Sequence, residues 1–577
     1  MLLLLLAAAA WLRLRALDFG LPFPFAAIDE HIVTDHAIAF VGGDLNPRYF
    51  AYPSGGFALH ALAYLAAYAV GPFDSRAAFA DAFWIAPQSL LLLSRALTAA
   101  IALATVLLMA RLGAELARAA GLHRARRPAA WLAAAALAAS FLHASNSRWV
   151  TVDIPMVAAA TLGLTLSLRH LRRGGTRSLL LSAAAIGLAA GFKYYGAWFA
   201  LALGLAVVAR ARREAGPARA RALRRLLLAA AVTIAAFLAT SPYVLLDFAT
   251  FRRDFETLQQ HMAGGHFGHD PTRSGLAVYA GHLVAPWVGP WLLLPAALGL
   301  LVAAGRRPGR MALLCVLLPA LAQFSLIVRF KAQPVDYLLG LLPALCALAG
   351  LAAAALHAGL ARTRSRAVPI GALLLLAAPL SLGARHAYDE ATWRGRPDTR
   401  VAARAWIEQQ VPAGALIAAD TWLDLPLTLQ CLERMREARA RELLLAPGET
   451  PAEIPLRRPR DEPLAALDAK LRVARARPPD DPTPTYDFGY ITPIELALRD
   501  ELFPLLREHG ARWLLLDGTR MARAERTGGA QRELADWYRR HLEGPLVANR
   551  FDPASGRFSG PPLTVIDLER WRADDGG

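Results

Sequence analysis

The chain has 577 residues, of which 55% are hydrophobic and 19% charged, and its mean hydropathy is +0.34. That is too apolar for an ordinary soluble enzyme and long enough for two domains, so the chain reads as a polytopic membrane protein. The formal net charge of +17 does not point to nucleic acid, because the arginines fall in short clusters between apolar runs, as orientation signals do.

The opening run, MLLLLLAAAAWLRLR, has its arginines after the apolar residues and lacks a basic start, so it reads as a first helix and not as a signal peptide. The stretch 18–53, DFGLPFPFAAIDEHIVTDHAIAFVGGDLNPRYFAYP, is too polar to cross lipid and reads as a loop at the membrane surface. Further apolar runs lie near 53–72, 89–110, 129–145, 154–168, 179–209, 226–240, 276–304, 311–328, 337–360 and 368–384. Arginine clusters separate them, at 111–127, 169–177, 210–225, 306–310 and 362–366. Cys315 and Cys346 sit in apolar runs and Cys431 stands alone, so neither a disulfide framework nor a CxxC metal site is indicated.

The positive-inside rule places these clusters in the cytoplasm, and parity then selects the runs that span. The run 179–209 is too long for one crossing and carries KYYG at its middle, which predicts a hairpin with Lys193 at the tip. The run 53–72 is expected to lie along the outer surface, within a first loop of 13–88, with Tyr64 and Tyr68 at interface depth. About eleven spans result, with the N-terminus inside. The polar loops 18–53, 146–153, 241–275 and 329–336 and the Lys193 turn then fall together on the outer face. From 385 the chain becomes charged and punctuated by proline. TRVAARAWIEQQVPAGALIAAD reads as helix then strand, and RWLLLD as a buried strand. The expectation is a transmembrane domain over 1–384 and an extracytoplasmic α/β domain over 385–577, with 446–485 a long loop in the latter.

Asp29 and Glu30 are the first candidates for chemistry. Adjacent carboxylates diverge, so one of them can take a proton from an acceptor while a phosphate leaves from the opposite face of the sugar, which is all an inverting transfer requires. The competing reading is a solvated pair, or a charge at a helix start. Asp153, in SRWVTVDIP, opens a span, where a carboxylate is costly unless paired or functional. It also suits a helix N-cap, and Arg148 is a candidate partner. Lys193 is one of only three lysines, with Lys331 and Lys470, and could meet a phosphate or simply snorkel. Arg329 and Lys331, beside Tyr337, form a second candidate phosphate site. His261, His266 and His269 lie in a glycine-rich outer stretch. Their spacing matches no standard zinc pattern, so an acceptor-binding loop is expected in preference to a divalent metal site.

These motifs together resemble the GT-C superfamily of membrane glycosyltransferases, near glycosyltransferase family 39 and its protein O-mannosyltransferase and aminoarabinose transferase relatives. The resemblance rests on IDEH followed by NPRYFAYPS, on SRWVTVDIP, GLAAGFKYYG and SPYVLLDF, and on DYLLGLLPALCALAG. It implies transfer of a sugar from a polyisoprenyl-phosphate donor to a lipid, glycan or protein acceptor, at the outer face of a bacterial cytoplasmic membrane. It also implies Asp29 as base with Glu30 beside it, Asp153 as the second acidic residue, and Lys193, Tyr194, Arg329, Lys331 and Tyr337 around the lipid phosphate. The chain departs from these relatives at Asp336, where they often carry arginine. A transporter, or a glycan-binding receptor, is the alternative. The first would want ionisable residues inside several spans and a repeat, which the sequence lacks. The second would leave the acidic loop without a task.

Overall fold

Leucine and alanine dominate the apolar runs, and both favour helix. The computed structural model describes residues 2–23, 26–27, 29–214, 218–270, 272–360, 367–443, 463–478, 480–491, 499–529 and 531–571. The expected cluster of Arg362, Arg364 and Arg366 lies outside these residues. Between α1 (Leu2–Leu14) and α5 (Gln88–Ala119) the first loop folds into α2 (Glu30–Val41), α3 (Gly55–Val70) and α4 (Arg76–Ile85). Their apolar faces meet one another, with Ala37, Ile38 and Val41 against Tyr64, Phe79 and Phe83, in a small core of their own.

The bundle continues with α6 (Arg126–Ala138), α7 (Phe141–Asn146), α8 (Asp153–Arg173), α9 (Thr176–Phe192), α10 (Ala200–Ala211) and α11 (Ala218–Thr240). Then come α12 (Tyr243–Leu246), α13 (Phe248–Gly264), α14 (Gly275–Val284), α15 (Pro290–Gly305), α16 (Arg307–Ile327), α17 (Leu342–Leu360), α18 (Ala367–Ala377) and α19 (Leu380–Arg394). Small residues set the spacing. A Cβ on Gly113 of α5 would come within 2.7 Å of the Ala129 carbonyl oxygen, and one on Gly350 of α17 within 2.5 Å of the same atom. Helix α6 is therefore clasped between two glycine faces.

Among the described residues, six helices are long and apolar enough to cross a membrane, or seven if the bent pair α18–α19 counts as one span. The expected count of about eleven includes pieces that are too short by that measure, among them Leu3–Leu14, Thr176–Phe192 and Pro290–Gly305. The run 276–304 breaks into α14 and α15. The stretch 241–275, expected as a loop, is largely the amphipathic helix α13, capped by the Asp247 side chain on the Thr250 N–H at 3.4 Å. Helix α19 runs straight through residue 385, because Arg394 and Glu390, four apart and 2.5 Å between their charged atoms, carry the helix into its polar end.

The run 179–209 is a hairpin. Helix α9 stops at Lys193, whose backbone is extended (φ −151, ψ 131), and a 3₁₀ turn leads into α10. Arg210 at the far end of α10 donates to the Arg172 carbonyl at 3.3 Å, so the chain returns to its point of entry. Arg172 in turn meets Glu115 of α5 at 3.0 Å, and Gly121 lies against Pro308 of α16. The arginine-rich helix ends thus gather at one end of the bundle and Lys193 sits at the other.

The C-terminal part contains α20 (Thr399–Gln410), β1 (Leu416–Ala419), α21 (Leu429–Leu443), α22 (Leu464–Ala476), β2 (Asp487–Tyr490), α23 (Arg499–Glu508), β3 (Ala511–Asp517), α24 (Thr519–Thr527), α25 (Gln531–Leu542), β4 (Val547–Phe551) and β5 (Leu563–Asp567). The strands form one sheet in the order β2-β1-β3-β5-β4, parallel through β2, β1 and β3 and antiparallel beyond. Strand alternation sends Ile417, Trp513 and Leu515 to one helical layer and Ala418, Leu514 and Leu516 to the other. This is the expected small α/β domain, with LIAA and ARWLLLD as strands. The expected loop 446–485 is corrected in part. Residues 464–476 are helix α22, whose Leu467 and Leu471 are buried, whereas 444–462 fall outside the described residues.

Asp420, at the carboxyl end of β1, is fully buried. It accepts hydrogen bonds from the Tyr538 hydroxyl at 2.5 Å and the Asp517 N–H at 2.8 Å. Burial pushes its carboxyl up to about 7, against the pull of Arg520. A proton held more tightly folded than unfolded stabilises the domain at low pH, and that contribution is lost as pH rises toward about 7. Hydrogen exchange of the β1 and β3 amides in the full chain is therefore expected to show an opening free energy that falls by up to about 4 kcal/mol from pH 4 to pH 8. Asp420→Asn should flatten that slope, and an unchanged slope in the variant would contradict the assignment.

Candidate active site

Opposite the arginine-rich end, a cavity of about 2180 Å³ opens among the first loop, α8, the α9–α10 turn, α13, the 329–337 segment, the end of α19 and helix α24 of the C-terminal part. Asp29, Asp153, Lys193, Tyr194, Arg329, Tyr337, His261, His266 and His269 all line it, so residues expected from five separate stretches of sequence share one space. Glu30 and Lys331 do not.

Asp29 has a left-handed backbone (φ 65), which a residue with a Cβ adopts only at a cost of roughly 1–2 kcal/mol. Although it stands at the start of α2, its side chain caps no backbone N–H. One carboxylate oxygen, Oδ2, accepts from the Tyr52 hydroxyl at 2.8 Å, and among the described residues Oδ1 has no hydrogen bond. Burial and the neighbouring Asp29 hold the Tyr52 phenol well above its ordinary range, so Tyr52 remains a donor. Asp153 raises the same phenol further, which places the two carboxylates around one ring.

Asp153 is occupied on both oxygens. Lys193 Nζ reaches them at 2.8 and 2.7 Å, the Tyr195 hydroxyl donates to Oδ1 at 2.5 Å and the Thr151 hydroxyl to Oδ2 at 3.3 Å. Asp336 lies 3.6 Å from Lys193 and supplies a second counter-charge. The rings of Tyr337, Tyr195 and Tyr52 stand 4.8, 5.2 and 5.9 Å from the ammonium. Lys193 is therefore a fixed cation behind Asp153 and not a free phosphate ligand. Among the described residues, Arg329 on the same cavity wall has no carboxylate partner. Tyr194 turns away to donate to the Phe50 carbonyl at 2.9 Å.

Glu30 is corrected as a candidate for contact with substrate. It is fully buried and meets the equally buried Arg95 through two hydrogen bonds of 2.8 and 2.7 Å, while accepting the Val150 N–H at 2.9 Å. It ties α2 to α5 and to the segment that carries Asp153. Arg148 is likewise not the partner of Asp153. It pairs with Glu390 of α19 and donates to the carbonyls of Leu12 and Ala387. Glu390, Trp393 and Arg394 also line the cavity, beyond the end expected at 384 for the transmembrane domain. Their signal was the run HAYDEATWR, charged residues at helical spacing directly after apolar ones. The three histidines follow one another along one wall, with ring centroids 5.3 and 5.5 Å apart in edge-on and tilted contacts. Among the described residues no group of three or more histidine, cysteine or acidic side chains could hold a metal ion.

Residues 60–256 match the family model of dolichyl-phosphate-mannose-protein mannosyltransferase. The match bears out the resemblance to the GT-C membrane glycosyltransferases of family 39. The matched stretch includes Asp153 and Lys193 and begins after Asp29. Solved structures that the chain resembles include ArnT from Cupriavidus metallidurans bound to undecaprenyl phosphate, at 16% identity over 98% of this chain and 97% of that one, with a TM-score of 0.49. Another is the arabinofuranosyltransferase AftD from mycobacteria, at 16% identity over 98% of this chain and 42% of that one, with a TM-score of 0.42. The curated proteins give no match.

Proposed function

We propose that the protein is an inverting glycosyltransferase that takes a sugar from a polyisoprenyl-phosphate donor at the outer face of the cytoplasmic membrane. The observation that carries this reading is the contrast between Asp29 and Asp153, two of the carboxylates that line the cavity. Asp153 has both oxygens taken by Lys193, Tyr195 and Thr151, whereas Asp29 keeps one oxygen without a hydrogen bond among the described residues. Asp29 thus keeps an oxygen open to accept a proton. An acceptor hydroxyl or amine gives its proton to Asp29 as its heteroatom attacks the anomeric carbon. The bond from that carbon to the phosphate oxygen breaks, and the electron pair leaves with the lipid phosphate. Arg329, on the cavity wall without a carboxylate partner among the described residues, is a cation suited to meet that charge. Asp153 and Lys193, neutralising each other, hold the α8 start and the α9–α10 turn in place. The family whose model matches 60–256 carries a lipid-phosphate mannose donor in its name, which supports the donor class.

The test is direct. Purified protein in vesicles should transfer sugar from a polyprenyl-phosphate sugar and ignore nucleotide sugars, and efficient use of a soluble nucleotide sugar without lipid would reject the proposal. Orientation has its own check. Reporter fusions after Arg127, Arg177, Arg225 and Arg310 should report cytoplasm, and fusions after Arg76 and Arg400 the outside. A cytoplasmic signal after Arg76 would put the cavity on the wrong face.

A further inference from the structure

One corner of the cavity, between α7 and α19, holds polar groups that the transfer chemistry leaves unused. Ser145, Asn146 and Trp149 enter it from the α7 side, and Glu390, Trp393 and Arg394 from the end of α19. Glu390 ties the corner together. Its Oε1 accepts from the Ser145 hydroxyl at 2.9 Å and from Arg394 Nε at 2.5 Å, and its Oε2 accepts from Arg148. The rings of Phe19 and Trp149 flank the Arg394 guanidinium, with centroids 4.5 and 5.0 Å from its central carbon. One ion pair and two rings therefore fix a guanidinium fork whose side chain is only 14% exposed.

The fork is held but not spent. Among the described residues Arg394 makes a hydrogen bond through Nε alone, so both terminal amino groups are open. Asn146, 4% exposed, donates its amide nitrogen to the Leu142 carbonyl at 2.9 Å. A carbonyl can only accept, which fixes the orientation of the amide and leaves its oxygen without a hydrogen bond among the described residues. An ionised phosphate offers acceptors only and gives that oxygen nothing. A hydroxyl both donates and accepts, and a sugar ring carries several hydroxyls around its rim with apolar C–H faces between them. Donors and an acceptor set beside two indole rings match that pattern. Glu390 already stands against Arg394, so the corner does not depend on an anion for counter-charge. It also adjoins the base: Trp149 leads into Val150, whose N–H is held by Glu30, the neighbour of Asp29.

We propose that Arg394 and Asn146, beside Trp149 and Trp393, form a subsite for a sugar ring, with the Arg394 fork donating to neighbouring hydroxyls and the Asn146 oxygen accepting from one of them. This rests on the transferase reading and deepens it: these residues select the sugar brought to Asp29, and the phosphate is met elsewhere. The sugar arrives either on the donor lipid or on the acceptor. Full-length protein in detergent is titrated with undecaprenyl phosphate, with the same lipid carrying mannose, glucose, N-acetylglucosamine or arabinose, and with the corresponding methyl glycosides. A sugared lipid bound about 10-fold tighter than the bare one marks the donor sugar, and a glycoside that binds alongside the sugared lipids marks the acceptor sugar. Arg394→Lys keeps a charge beside Glu390 but not the fork. It should weaken sugar recognition roughly 10-fold, the usual effect of losing a hydrogen bond from a charged donor, and change binding of bare undecaprenyl phosphate less than about 2-fold. Should Arg394→Lys melt early, Trp393→Leu, which lies outside the ion pairs, carries the same comparison.

Equal loss of bare and sugared lipid at an unchanged melting temperature would assign Arg394 to the donor phosphate. Sugar recognition retained in both variants, or absent from wild type, would remove the subsite; each of these results overturns the proposal. Wild type that recognises a glycoside through Arg394 yet ignores undecaprenyl phosphate would reject the donor reading and leave the sugar subsite standing.

Discussion

Asp29→Asn is expected to lower turnover by about 10²–10⁴-fold, the usual cost of losing a general base. The substitution keeps the size of the side chain and an oxygen for the Tyr52 hydroxyl, which now donates at 2.8 Å. Donor affinity should therefore change little, because Arg329 and the tyrosines around Lys193 are untouched. Single-turnover kinetics with a polyprenyl-phosphate sugar would separate the two quantities. Asp153→Asn should behave differently. It strips Lys193 of its nearest partner, 2.7 Å away, and so disturbs the placement of the α9–α10 turn as well as the rate. If Asp29→Asn keeps wild-type turnover, the base lies elsewhere in the cavity.

The second large effect is on stability. Glu30→Gln leaves the Arg95 guanidinium, with no exposed surface, facing a neutral side chain and the carbonyls of Leu17 and Phe19. Breaking a buried ion pair from one side costs about 3–5 kcal/mol, because the remaining charge is uncompensated. The variant should fold poorly and melt early, whatever residual activity its folded fraction retains. Removing both charges, as in Glu30→Met with Arg95→Met, should recover much of the lost stability, since apolar replacements of a buried pair are often tolerated. Wild-type stability in Glu30→Gln together with abolished transfer would return Glu30 to the chemistry.

The sequence made the membrane class and the cavity's main contributors legible for a plain reason: in a chain this apolar, every polar segment between runs is conspicuous. Asp29, Asp153, Lys193 and Tyr337 stand in such segments. What each one faces was not legible. Adjacent Asp29 and Glu30 look alike in sequence, yet a left-handed residue at the start of α2 turns one into the cavity and the other into Arg95, 65 positions away. Arg148 finds Glu390 across 242 positions, a pairing that no local pattern encodes. Asp336 acquires a role only once Lys193 is placed 3.6 Å from it.

On the proposed function, the cavity holds the lipid phosphate of the donor with the sugar turned toward Asp29. Electron cryomicroscopy of the full-length protein saturated with undecaprenyl phosphate tests it most directly. Phosphate density within hydrogen-bond distance of Arg329, with the free oxygen of Asp29 across the cavity from it, is the expected result. Density at the arginine-rich end of the bundle, or an empty cavity under saturating lipid, would contradict it.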